Sequence, residues 1–127
     1  MNEIVALRLQ FFTIHTRNLD TARQFYVEVL GFPIVEERRG EFFQVSIAGV
    51  PVCVDLDTSF TGAPNQIGIT VSNLESTIAA LRERRLVISE GRSTKAGWAA
   101  VKDPDGHELI FIAGAQEQAS GVRSPLQ

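Results

Sequence analysis

The sequence predicts an α+β fold made of two βαβββ modules, and three observations carry that prediction. Ile14-His15-Thr16-Arg17-Asn18-Leu19-Asp20-Thr21 aligns with Ile69-Thr70-Val71-Ser72-Asn73-Leu74-Glu75-Ser76 at an offset of 55 residues. A second pair of landmarks, Gly49 before Val50–Val54 and Gly106 before His107–Phe111, repeats at an offset of 57 residues. In both copies an alternating apolar run gives way to Asn-Leu-acid-hydroxyl and then to a stretch of helical period. Few positions are identical, so period and pattern define the repeat, and a repeat of this size fixes the architecture and points to where a ligand would sit.

In the first module, Leu9 to Thr16 reads as a strand, with an alternative start near Val5, because Phe11, Phe12, Thr13 and Ile14 are β-branched or aromatic. Asn18 suits a helix N-cap, and Asp20 places negative charge where the helix dipole favours it. Leu19, Ala22, Phe25, Tyr26, Val29 and Leu30 form one apolar stripe. Gly31 fits the position just past the helix end, and Phe32-Pro33 bars continuation. Phe32 to Glu37 is the next strand, and Arg38-Arg39-Gly40 its turn, with the arginines solvating the tip. Phe42 to Ile47 alternates, with Phe43, Val45 and Ile47 on one face and Phe42, Gln44 and Ser46 on the other. Gly49 ends it, and Val50 to Asp57 completes the module. Thr58 to Asn65 reads as a linker.

The second module repeats the order. Gln66 to Val71 is a strand, and Asn73 caps a helix running to about Arg85 with Leu74, Ile78, Ala79 and Leu81 on its apolar face. Arg82, Arg84 and Arg85 close it, favourably for the dipole. Val87-Ile88, Gly97 to Lys102 and His107 to Ala113 are strands. Asp103-Pro104-Asp105-Gly106 suits a type I turn, with Asp first, Pro second and Gly fourth. The module boundaries are therefore about 9–57 and 66–113, within a domain spanning 1–113, and residues 114–127 read as a tail.

Composition narrows the functional classes. A net charge of −3 leaves no basic stripe for nucleic acid. No apolar run approaches the roughly 20 residues that span a bilayer, and the N-terminus shows no secretory pattern. Cys53 is the single cysteine, so no intrachain disulfide can form, in keeping with a cytoplasmic setting. Gly91 and Gly97 open no helix and make no phosphate loop. The two histidines, His15 and His107, are too few for a multi-histidine metal site.

Asn18-Leu19-Asp20 with Phe25-Tyr26 and Leu30-Gly31-Phe32, followed by Asp103-Pro104-Asp105-Gly106 before the last strand, resembles the vicinal oxygen chelate superfamily. That group includes glyoxalase I, extradiol dioxygenases, fosfomycin-resistance enzymes and bleomycin-resistance proteins. Asn18 stands for the family's aspartate and His107 for its asparagine. The resemblance covers about residues 9–113 and implies a curved eight-stranded mixed sheet around a cup, with helices on the convex face. Metal enzymes of the family place ligands at four cup positions, which fall here on Phe11, Cys53, Gln66 and Ile110. Phenylalanine and isoleucine cannot coordinate a metal. No cofactor is therefore expected at those positions.

Strand parity sorts the other candidates. Thr13 and His15 share a face with Phe11; Asp55 with Cys53; Glu108 with Ile110; Trp98 with Ala100. His15 reads either as a base or ligand contact or as a strand-end histidine, and His107 as a turn residue. Glu108 reads as a shifted substitute for the family's glutamate or as a wet rim residue. Asp55 and Asp57 read as cup carboxylates or as a solvated strand face. Trp98 reads as a stacking wall for a planar or cationic ligand, or as a packed aromatic. Cys53 reads as an inert buried thiol.

The first expectation is a homodimeric protein resembling the family's metal-free drug-binding branch. It would hold a planar or amphipathic small molecule against Phe11, Thr13, His15, Phe42, Asp55, Gln66, Trp98, Glu108 and Ile110. Open sheet edges and the prevalence of two-fold symmetry suggest the dimer. The alternative is a metal-dependent lyase, isomerase or dioxygenase using His15, Asp55 and Glu108. A third reading is a partner-binding module with no ligand.

Overall fold

A computed structural model describes residues 2–92 and 97–114, and the chain divides into two compact units at Ala63/Pro64. The tail expected at 114–127 lies, from residue 115 onward, outside the described residues. Among the described residues, eight strands and three helical segments, the first two of them continuous, follow the expected order. They hydrogen-bond as two four-stranded mixed sheets, one per module.

The first sheet runs β1(Phe12–Thr16), β4(Val50–Leu56), β3(Phe42–Ile47), β2(Ile34–Arg38), with β1 parallel to β4 and the others antiparallel. The second runs β5(Gln66–Val71), β8(Glu108–Ala113), β7(Gly97–Lys102), β6(Ser89–Arg92), with β5 parallel to β8. One face of each sheet packs on its own module's helix. In module one, Ile14, Phe43, Val45, Val52 and Val54 are buried beneath Ala22, Phe25 and Tyr26. In module two, Ile67, Val101, Leu109 and Phe111 are buried, as are Leu74 and Leu81 of the helix α2(Leu74–Glu83).

Both expected N-caps are present. Asn18 Oδ1 accepts from Thr21 N at 3.1 Å and Asn73 Oδ1 from Ser76 N at 2.9 Å, satisfying first-turn donors. The first helix begins as α1(Leu19–Arg23) and widens into a π-helical stretch, Gln24–Val29, where Leu30 N donates to Phe25 O. The insertion turns two consecutive aromatics, Phe25 and Tyr26, into the core in edge-to-face contact at 5.0 Å. Gly31, at φ 79°, supplies the left-handed residue that ends it, and Phe32 N returns to Tyr26 O. In α2 the corresponding residue is Arg85, at φ 59°.

Several boundaries differ from the sequence reading. Strand β1 starts at Phe12, not Leu9 or Val5; residues 2–11 lie outside any described strand, and Leu7 is 89% exposed. β2 starts at Ile34, because Phe32 N is used by the helix cap. β6 starts at Ser89, and Val87, expected in that strand, is 90% exposed. On α2, Ala79 is exposed, while Leu74 and Leu81 are buried and Ile78 is half-buried. Gly114, read as the first tail residue, is buried with its N–H on Val71 O, where a Cβ would lie 2.9 Å from that oxygen. No helix among the described residues is long and apolar enough to cross a membrane.

Candidate functional site

The face of the second sheet turned away from α2 is set by strand register. Gln66 faces Glu108, Gly68 faces Ile110 and Thr70 faces Ile112 across β5 and β8. On β7, Lys102, Ala100 and Trp98 face the same three residues of β8, and Gly91 of β6 faces Trp98. Side chains two apart along a strand share a face about 6.6 Å apart. Three rows result: a polar row of Gln66, Glu108 and Lys102; a middle row where Gly68 and Ala100 flank Ile110; and a third holding Ile112, Trp98 and Gly91.

Small residues in the middle row leave a hollow of about 370 Å³, lined by Gln66, Gly97, Trp98, Ala100, Glu108, Ile110 and Ile112. That volume lies within the usual range for small-molecule sites. The indole of Trp98 extends over Gly91: a Cβ on that glycine would lie 2.5 Å from Cζ2. Glycine thus seats the ring against β6. At the far end, Gln66 Nε2 donates to Glu108 Oε1 at 2.9 Å. The hollow therefore has an aromatic end, an aliphatic floor and a polar end.

The corresponding face of module one carries Thr13 and His15 on β1, Cys53 and Asp55 on β4, and Phe42 and Gln44 on β3, joined in register. His15 Nδ1 lies 3.9 Å from Asp55 Oδ2, an ion-pair distance but too long for a hydrogen bond. The His15 ring is tilted against Phe60 at 5.8 Å, and Arg38 stands 6.0 Å over the Phe42 ring. Cys53 is buried, and desolvation, reinforced by Asp55, pushes its thiol pKa up, while a hydrogen bond with Thr13 pulls the other way. Asp57 lies beyond β4 and accepts from Ser59 N and Oγ, so it is a turn residue. Phe11 precedes β1 and is 47% exposed, outside the strand in which it was expected. A second hollow, about 290 Å³, lies between α1 and the β2–β3 hairpin, and its Arg23 and Glu37 already pair at 2.7 Å.

His107 is fully buried. Its Nδ1 accepts from Asn65 N at 2.9 Å, and its own N–H goes to Asp103 Oδ1 at 2.8 Å, so it locks the turn before β8.

The donor set does not fit a metal at the family's positions. Phe11 and Ile110 have no donor atom, which leaves only Cys53 and Gln66, fewer than the three or four ligands a metal site needs. The shifted set fares no better. No group of three or more His, Cys, Asp or Glu able to hold a metal occurs among the described residues.

Sequence reasoning placed Trp98, Gln66, Ile110 and Glu108 on one face by parity. It missed Gly91 as the seat of the indole and the Gln66–Glu108 pair. A glycine directly opposite a tryptophan in a β-hairpin is the signal that could have revealed the first; the second required the parallel register of β5 and β8.

Residues 8–111 match the family described as the Glyoxalase/Bleomycin resistance protein/Dioxygenase superfamily. Curated proteins give no match. Among solved structures, an antibiotic-binding protein, TnmS3, from Streptomyces sp. CB03234 is similar at TM-score 0.74 and 21% identity, covering 89% of this chain and 100% of that one. A lactoylglutathione lyase from Agrobacterium tumefaciens is similar at TM-score 0.72 and 12% identity, covering 82% and 92%. A glyoxalase/bleomycin resistance protein/dioxygenase from Nocardioides has TM-score 0.70 and 15% identity, covering 87% and 85%.

Proposed function

The chain belongs to the glyoxalase/bleomycin resistance protein/dioxygenase superfamily, and within it we propose a metal-free protein that binds a planar or amphipathic small molecule on the second module's sheet. One observation carries this reading. The hollow beside Trp98 combines a flat aromatic wall, an aliphatic floor and a short polar edge, the make-up of a small-molecule site. Trp98, Ile110, Gln66 and Glu108 are the proposed contacts. Thr13, His15, Phe42 and Asp55, with Phe11 before them, form a second candidate ligand surface on module one.

The antibiotic-binding protein from Streptomyces supports a binder, since its fold is shared and its role is binding. The chemistry of the four family positions supports the metal-free branch, because two of them offer only hydrocarbon. We further propose a cytoplasmic homodimer. The period-2 apolar segment Val5, Leu7, Leu9 and Phe11, exposed in one chain, suits β-type pairing with a second copy.

The test is a titration of chelator-treated protein with planar aromatic compounds, followed by the emission of its single tryptophan, beside elemental analysis of untreated protein. Saturable binding without stoichiometric metal is expected. About one zinc, iron, manganese or nickel per chain, with binding lost on chelation, would overturn the reading.

A further inference from the structure

The chemistry of the polar end allows the ligand class to be narrowed, on the premise that the Trp98 hollow is the binding site. Glu108, as a carboxylate, can only accept hydrogen bonds. The 2.9 Å contact with Gln66 therefore fixes the amide with its nitrogen toward Glu108 and its oxygen free. Glu108 keeps a second oxygen, and neither side chain makes any other hydrogen bond or ion pair among the described residues. The edge thus offers two acceptor oxygens from neighbouring parallel strands, one carrying a negative charge.

The donors on this edge are few. The remaining Gln66 N–H is one. Lys102, Glu108's register neighbour on β7, is exposed, so its charge is screened by water. The opposite end is the indole face, whose quadrupole favours flat rings and positive charge. Two row spacings separate the ends, about 13 Å along the strands. That span accommodates a bicyclic ring system with one polar substituent.

We propose that this hollow selects planar aromatic ligands that carry a cationic N–H donor, of the amidinium type, at the end opposite Trp98. The ring stacks on the indole over Ile110 and Ile112, and the donor reaches the free oxygens of Glu108 and Gln66. A carboxylate or phosphate in the same place would face the Glu108 charge and is rejected.

Three probes of one shape test this: 2-naphthamidine, 2-naphthamide and 2-naphthoate. Each is titrated into ¹⁵N-labelled full-length protein while the one indole N–H resonance, from Trp98, is followed. The amidine is expected to bind most tightly and the naphthoate most weakly. Roughly tenfold between them is the low end for a charged hydrogen bond, because the edge is partly exposed. In Glu108→Gln the amidine should lose its advantage and fall to within about twofold of the amide. Equal binding of all three probes, tightest binding of the naphthoate, or an unchanged ratio in Glu108→Gln would overturn the selectivity while leaving the hollow as a binding site. No response to any probe would overturn the site itself.

Discussion

Gly91→Ala probes how the Trp98 wall is held. Gly91 lies outside the left-handed region, so alanine meets no backbone objection, and any effect must come from the new methyl. That methyl would stand 2.5 Å from Trp98 Cζ2 and 2.8 Å from Cε2. Carbon atoms rest at about 3.5–4.0 Å, so the indole must withdraw by about 1 Å. Overpacking of this kind costs about 1–3 kcal/mol. Restricting the unfolded chain returns about 0.4–1 kcal/mol. The net expectation is a loss of about 1 kcal/mol in urea denaturation, a shifted tryptophan emission and weaker binding of planar ligands. A variant as stable as the parent, with unchanged emission, would refute the seating of the ring on Gly91.

Other substitutions and conditions probe the helix end, the buried thiol and the exposed N-terminal segment. Arg85→Gly should stabilise the protein by about 1 kcal/mol, since residue 85 ends α2 at φ 59°, where a side chain is strained; an unchanged denaturation midpoint would contradict this. Cys53 should react with iodoacetamide at pH 8 far more slowly in the folded than in the urea-unfolded protein, because burial raises its pKa. By linkage the native state then holds this proton where the unfolded chain releases it. Stability from this group is full below the ordinary thiol value of 9.0 and declines as pH rises from there toward the folded value, a slope that Cys53→Ala should remove. Light scattering should give a dimer mass in the micromolar range, and Leu7→Ser with Leu9→Ser should shift it toward monomer. A monomer mass for the parent chain would contradict the pairing of the exposed segment.

Much of the architecture was legible because it rests on local rules. Asn18 and Asn73 precede apolar stripes and cap both helices. Asp103-Pro104-Asp105-Gly106 forms its turn with Gly106 N on Asp103 O. Parity assigned the strand faces correctly because one face of each sheet is buried, which fixes register. What was not legible depends on non-local geometry. The π-helical stretch at Gln24–Val29 satisfies the same apolar spacing as an α-helix until Phe25 and Tyr26 must both reach the core. Residues 2–11 have strand-like alternation, yet a strand needs a partner, and β1 gains its hydrogen bonds to β4 only from Phe12. In the site, Trp98 and Glu108 each had two readings on sequence alone. Gly91 and the Gln66–Glu108 contact give each a definite environment, and both come from cross-strand pairing.

Trp98→Ala decides whether a small planar ligand binds against the indole without a metal. Calorimetric titration of chelator-treated parent and variant with a planar aromatic ligand should show binding weakened by about 1–3 kcal/mol, a usual loss for a truncated aromatic anchor. Urea denaturation should show that the fold survives, since the ring lines an open hollow and is not closed within a core. An unchanged affinity accompanied by a stability loss of about 3–5 kcal/mol, the cost of emptying a packed core position, would show that Trp98 is a core residue and not a binding wall.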